Sequence, residues 1–226
     1  MNVNDIPDAD RARFNMVEQQ IRPWNVQDER LLQAVFDIPR EHFVPPQLRA
    51  LAFADTELPL IIDGVDTREH MLSPKVESRL IEELHLTATD CVLEIGTGSG
   101  YQAALLSRLC QQVTTIEIDS RLAAFAQGNF ARNQINNIVQ ETGDAHAGWG
   151  TAEYDAILIT GSVPTVPDAL KYQLAVGGRL MAIVGHNPIM TACRITRTSA
   201  ANFETIQVFD TWTKPLRGTA RSRFKF

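Results

Sequence analysis

Three glycines alternate at Gly96, Gly98 and Gly100, directly behind the apolar run Cys91–Ile95, and the carboxylate of Glu94 stands two residues ahead of the first. Glycine at the carboxyl end of a strand lets the backbone turn sharply and lets a ligand approach it closely. The spacing is G-x-G-x-G, not the G-x-G-x-x-G of a dinucleotide turn. A carboxylate aimed into this turn repels a pyrophosphate and suits a positively charged ligand. S-adenosylmethionine, with a sulfonium and an ammonium, answers that description better than a nicotinamide dinucleotide. Two further carboxylates fall in comparable places. Glu117 ends the next β-branched run, where an acidic side chain can bond a ribose diol. Asp144 follows Gly143 and can accept from an adenine amino group. Singly, each is explained by a turn or a solvated strand end. Three at successive strand ends, on one rim of a sheet, make a stronger signal.

Methyl transfer from a sulfonium is an in-line displacement with an activated donor, so the protein's task is to orient the acceptor and exclude water. A carboxylate acceptor is already ionised at neutral pH and needs no general base. No Ser–His or His–Asp constellation stands out. The five histidines, at 42, 70, 85, 146 and 186, show no metal-ligand spacing, so no metal is expected. His70 and His146 lie nearest the segments a ligand would use; the others read as surface or satisfied histidines. Gly98-Ser99-Gly100 is not a nucleophile elbow, because Thr97 stands at the place of the required first glycine.

These residues need a scaffold that brings strand ends together. Apolar spacing predicts helices over 8–22, 26–36 and 74–86, with Pro23 closing the first and Pro74 opening the third. Prolines at 39, 45, 46 and 59 mark an ordered loop between them. From residue 91 onward strands alternate with helices: strands over 91–95, 113–118, 137–141, 154–160 and 179–184, helices over 101–109, after Asp119, and over 167–174. Apolar strands separated by helices imply a mostly parallel sheet covered on both faces, an α/β fold. After Pro188 two strands, 191–198 and 203–213, suit the sheet edge. The expected organisation is an N-terminal helical cap with a substrate loop (1–75), a ligand-binding core (76–188) and C-terminal edge strands (189–226).

The composition agrees with an ordinary globular chain: 226 residues, 44% apolar, with 21 Lys+Arg against 27 Asp+Glu for a net charge of −6. A negative chain is a poor nonspecific binder of nucleic acid or anionic membrane. No apolar run approaches the roughly 20 residues of a bilayer span, and the opening MNVNDIPDADRAR has no apolar signal region. Three cysteines without a CxxC pair read as reduced thiols, and a cytoplasmic location is expected. The basic tail, with Lys214, Arg217, Arg221, Arg223 and Lys225, reads as a solvated terminus.

Several blocks resemble the protein-L-isoaspartate O-methyltransferases, which methylate the isoaspartyl carboxylate of damaged proteins with S-adenosylmethionine. VLEIGTGSGYQAALLS at 92–107 is similar to that family's cofactor loop almost letter for letter. GDAHAGW at 143–149, YDAILITGSVPTVP at 154–167 and QLAVGGRLMAIVG at 173–185 follow its later blocks in order, and MVEQQIR at 16–22 and IPREHFVP at 38–45 resemble its N-terminal signatures. The resemblance implies a Rossmann-like methyltransferase fold, S-adenosylmethionine as cofactor, and isoaspartyl proteins or peptides as partners in protein repair, with no nucleic acid or membrane. It implies cofactor contacts from Glu94, Gly96, Thr97, Gly98, Ser99, Gly100, Glu117, Ile118, Asp144 and Ala145.

One stretch departs from the pattern. Family members carry LP-I-G-x-G-Q-T-I-S-x-P, whose threonine–serine region closes over the substrate. Here the stretch is LPLIIDGVDTREHMLSP, 58–74; it is longer and lacks the Gln-Thr-Ile-Ser element. Counting back from Val92 through Pro74 sets Leu72 at the serine's place, with Ser73 one position later. Ser73 is therefore the expected catalytic hydroxyl if the register shifts by one. A methyltransferase of the same fold with another acceptor, and a non-catalytic S-adenosylmethionine-binding protein, remain the alternatives.

Overall fold

The computed structural model describes residues 8–218. Nine strands form a two-stranded hairpin and a seven-stranded sheet. The hairpin pairs β1 (Leu58–Ile62) with β2 (Val65–Met71). The sheet runs β5-β4-β3-β6-β7-β8-β9, with β3 Cys91–Ile95, β4 Gln112–Glu117, β5 Ile138–Thr142, β6 Tyr154–Val163, β7 Leu174–His186, β8 Ile189–Arg197 and β9 Phe203–Thr211. Strands β3 to β7 are parallel, and β8 and β9 are added antiparallel. Strand β3 is buried along nearly its whole length, as a central parallel strand covered on both faces must be. From β3 the chain builds first to one side, through β4 and β5, and then returns to β3's other flank with β6. That reversal opens a crevice at the carboxyl ends of β3 and β6.

Side chains alternate across the strands, so Val92 and Leu93 enter different cores. The larger core joins Val92, Val113 and Leu158 to α3 (Pro74–Glu82), α4 (Tyr101–Ser107), α5 (Ser120–Arg132) and the N-terminal helices α1 (Ala9–Met16) and α2 (Glu29–Asp37). The smaller, built on Leu93, Ile157 and Leu180, is closed by α6 (Asp168–Tyr172) through Leu170. Both faces are covered as expected, but unequally.

Three expectations are corrected. The helix read over 8–22 ends at Met16 and gives way to a π turn (Val17–Ile21) and a 3-10 turn (Arg22–Trp24), because Pro23 removes a donor and crowds the preceding turn. The proline-marked loop contains the β1–β2 hairpin, whose turn residues Asp63 and Gly64 both have positive φ, 50° and 77°; an Asp-Gly pair is suited to such a turn. The tail does not run free up to the last described residue. Lys214 and Arg217 fold back onto the hairpin and α5, while Arg221, Arg223 and Lys225 lie outside the described residues.

Candidate active site

Between Ile95 and Tyr101 the glycine turn leaves β3 and enters α4. Gly96 and Gly98 have φ of 95° and 55°, values that suit glycine. At Gly96 there is also no room: a Cβ would lie 2.4 Å from the Thr160 hydroxyl, which donates to the carbonyls of Ile95 (3.0 Å) and Gly96 (2.7 Å). Gly98 opens toward the cleft, its nearest neighbour a methyl of Leu60 at 3.5 Å from an added Cβ. The turn is held from below. The Thr115 hydroxyl donates to Glu94 Oε2 at 2.5 Å, so that of Thr97, 2.6 Å away, donates to Thr115. Asn129 Nδ2 donates to the Ser99 carbonyl at 2.9 Å.

Glu117 completes the turn. Its Oε2 accepts the Gly98 N–H at 2.8 Å and its Oε1 the Asp119 N–H at 3.0 Å. Each oxygen keeps a lone pair for a ligand. Burial raises the Glu117 pKa, and the two backbone N–H groups oppose that rise. Glu94 is wholly buried, its Oε1 has no partner among the described residues, and burial pushes its pKa up to about 8 against the Thr115 hydrogen bond. A buried Glu94 carboxyl with one oxygen unpaired, beside the Glu117 carboxylate, suits a cationic ligand that would draw off the Glu94 proton, the opposite of a phosphate cradle.

The crevice is lined by Gly96, Gly98, Glu117, Ile118, Asp144 and Ala145 among the expected residues. Asp144 accepts the His146 N–H at 2.9 Å, which holds its carboxylate at the rim. Ile118 is 43% exposed and with Leu122, Ala145 and Leu170 gives an apolar slot for a flat ring. Glu94, Thr97, Ser99 and Gly100 stand behind the wall and shape it. Gly100 packs on Phe130, whose ring would lie 2.6 Å from an added Cβ.

The opposite wall comes from the end of β2, with Glu69, His70 and Leu72, and from the C-terminal strap, Thr213 to Arg217. His70 and His146 both reach the crevice, as their segments suggested. Leu72 reaches the wall; Ser73 is buried, opens α3, and accepts the Val76 and Glu77 N–H groups on its carbonyl. Thr160 and Gly161 are not among the residues expected from the sequence, which presents Lys214 and Arg217 of the strap only as part of a basic, solvated terminus. The strap carries no local signal, because its place depends on partners far away in the chain.

Residues 11–216 match the protein-L-isoaspartate(D-aspartate) O-methyltransferase family. A protein-L-isoaspartate O-methyltransferase of Koribacter versatilis is 39% identical over 210 residues, 92% of this chain and 91% of its own. One from Geobacter metallireducens is 40% identical over 189 residues, 83% and 85% of the two chains. Among solved structures, a Plasmodium falciparum protein described as a beta-aspartate methyltransferase, in complex with S-adenosyl-L-homocysteine, superposes with a TM-score of 0.78 at 16% identity, covering 93% of this chain and 99% of that one. At that identity the likeness speaks for the fold. The match from residue 11 to residue 216 and the 39–40% identity to these relatives speak for more: this chain belongs to the protein-L-isoaspartate(D-aspartate) O-methyltransferase family.

Proposed function

We propose that this protein transfers a methyl group from S-adenosylmethionine to the free carboxylate of isoaspartyl residues in proteins and peptides, a step in protein repair. The observation that carries this reading is the convergence of the acidic glycine turn, Glu117 and Asp144 on one crevice, in a chain that matches the family over 11–216. When bound, S-adenosylmethionine supplies an activated methyl group on a sulfonium. Gly96 and Gly98 offer flat backbone beside it, and Glu94 offers an unsatisfied acceptor below the turn. Thr97, Ser99 and Gly100 hold the turn in shape. Glu117 would hold the ribose end of the cofactor, Asp144 would accept from its adenine amino group, and Ile118 and Ala145 would line the slot for its ring.

On the acceptor side the wall is His70, Leu72 and the strap. Ser73 precedes α3 without a side-chain capping bond and is absent from the crevice wall, which supports a reading in which shape and charge, more than a hydroxyl, orient the acceptor. An acceptor other than isoaspartate is the second reading, favoured by Leu72 standing where the family stretch has serine. A cytoplasmic location is supported by three free cysteines among the described residues, and no helix there is long and apolar enough to cross a membrane.

The test is methyl transfer to an isoaspartyl peptide, run beside S-adenosylmethionine titration on the same sample. Binding with transfer to the isoaspartyl peptide, and none to its aspartyl counterpart, is the expected result. Binding without transfer moves the assignment to another acceptor, and tight NAD binding without S-adenosylmethionine binding overturns it.

A further inference from the structure

The strap, Thr213 to Arg217, lines the crevice and is fastened both to the end of β6 and to the β1–β2 hairpin. Ser162 holds its backbone: the Ser162 N–H donates to the Lys214 carbonyl (3.0 Å), the Ser162 carbonyl accepts the Leu216 N–H (3.0 Å), and the Ser162 hydroxyl donates to the Thr213 carbonyl (3.1 Å). Leu216 then drops onto the glycines. A Cβ on Gly161 would lie 2.9 Å from its methyl, and one on Gly96 3.1 Å. Past it, Arg217 makes three separate attachments. Its Nε donates to Glu69 Oε1 at 2.7 Å, its Nη1 to Asp119 Oδ2 at 3.0 Å, and its Nη2 to the Thr67 carbonyl at 2.6 Å. Lys214 Nζ also reaches Glu69 Oε1, at 2.7 Å, and the Arg68 carbonyl.

Glu69 thus gathers two cations from the strap, and Arg217 joins the acceptor hairpin to the residue that caps α5 beside the cofactor side of the crevice. Counting back from Leu72, Glu69 stands where the family stretch Q-T-I-S has its glutamine. The stretch that lacks the family's hydroxyl residues carries a carboxylate there, and the tail carries the cations that answer it. The pairs are partly exposed, with Arg217 at 38% and Glu69 at 22%, so each is modest alone. Shared through one guanidinium they act together.

We propose that Glu69 and Arg217 are positioning residues, a latch that holds the C-terminal strap closed over the crevice and so sets both the residence of the cofactor product and the placing of the acceptor. The acceptor part rests on the functional reading above; the strap part does not. Cofactor exchange then requires the latch to open, and high salt opens it.

The experiment compares the parent protein with Glu69→Gln, Arg217→Gln and Arg217→Lys in three measurements: amide exchange at Leu216 without ligand, dissociation of S-adenosylhomocysteine at low and high salt, and the KM and kcat for an isoaspartyl peptide. Glu69→Gln and Arg217→Gln are expected to speed exchange and dissociation about three- to fivefold, the scale of losing one or two partly exposed pairs. KM should rise while kcat holds within about twofold, and Arg217→Lys should recover part of the loss, since its point charge can replace one attachment but not the fork. Raising salt should speed release from the parent but hardly from Glu69→Gln. Unchanged exchange and release in both glutamine variants would overturn the latch. Faster exchange in a protein whose parent form never methylates the peptide would overturn the isoaspartyl reading and leave the latch standing.

Discussion

Arg40, which has no exposed surface, donates through Nη2 to the carbonyl of Leu72 at 2.8 Å. Its Nε donates to the Ala52 carbonyl at 2.9 Å, Nη1 pairs with Glu77 Oε2, and the guanidinium lies 5.0 Å from the centre of the Tyr101 ring. Burial pushes the Glu77 pKa up to about 7, against the pull of Arg40. One buried cation thereby fastens α3, the helical cap and the acceptor wall at Leu72, in the short link between β2 and α3.

Arg40→Met leaves Glu77 as an unpaired buried carboxyl and the Leu72 carbonyl without its donor. The expected cost is about 3–5 kcal/mol, as for breaking other buried pairs by removing one partner. Urea denaturation measures it, and Arg40→Met/Glu77→Leu should recover much of the loss. A single variant as stable as the parent would remove Arg40 from this account.

Glu94→Gln tests the charge below the glycine turn. The ordinary carboxyl pKa of 4.5 is raised to about 8 in the fold. The folded protein therefore holds a proton that the unfolded chain releases, and its stability falls as pH rises from about 4.5 through about 8. Glutamine carries no such penalty. Its advantage over the parent should grow across that window to the order of 5 kcal/mol and then level off, read as thermal shifts at several pH values. The same variant should bind S-adenosylmethionine more weakly. An advantage independent of pH would contradict the raised pKa.

Glu117 and Asp144 should separate by how much of the turn each supports. Glu117→Ala deletes the acceptor of two backbone N–H groups as well as ligand contacts, so it should cost about 1–3 kcal/mol of cofactor affinity together with some stability. Glu117→Gln keeps one oxygen acceptor and should be milder. Asp144→Ala should lower affinity by a similar amount and leave stability nearly intact. Calorimetric titration with S-adenosylhomocysteine checks all three; equal affinities would remove both residues from the site.

Ser73→Ala and Leu72→Ser divide the acceptor question. Ser73 is buried at the start of α3 with no side-chain capping bond. Its loss should alter isoaspartyl transfer by less than about twofold, surface-like in scale. Leu72→Ser puts a hydroxyl on the crevice wall and should change kcat for the peptide while cofactor affinity stays put. A large loss in Ser73→Ala would mean that the hydroxyl reaches the acceptor after all.

By itself the sequence determined the parts whose signal is local. The glycine turn announced itself because backbone geometry at Gly96 and Gly98 admits few other residues. The alternation of apolar strands and helices fixed a parallel sheet, and with it the rim that carries Glu117 and Asp144. The Asp63-Gly64 turn was equally legible, yet the prolines around it drew the reading toward a loop. Tertiary structure alone decided that Leu72 rather than Ser73 meets the crevice, since one step along the chain at the end of β2 exchanges wall for interior. It alone turned a basic terminus into a strap. Charge spacing near the chain end cannot reveal that Arg217 meets Glu69, 148 residues away. The pair depends on the sheet bringing the carboxyl end of β6, with Ser162, beside the hairpin, and no local periodicity encodes that meeting.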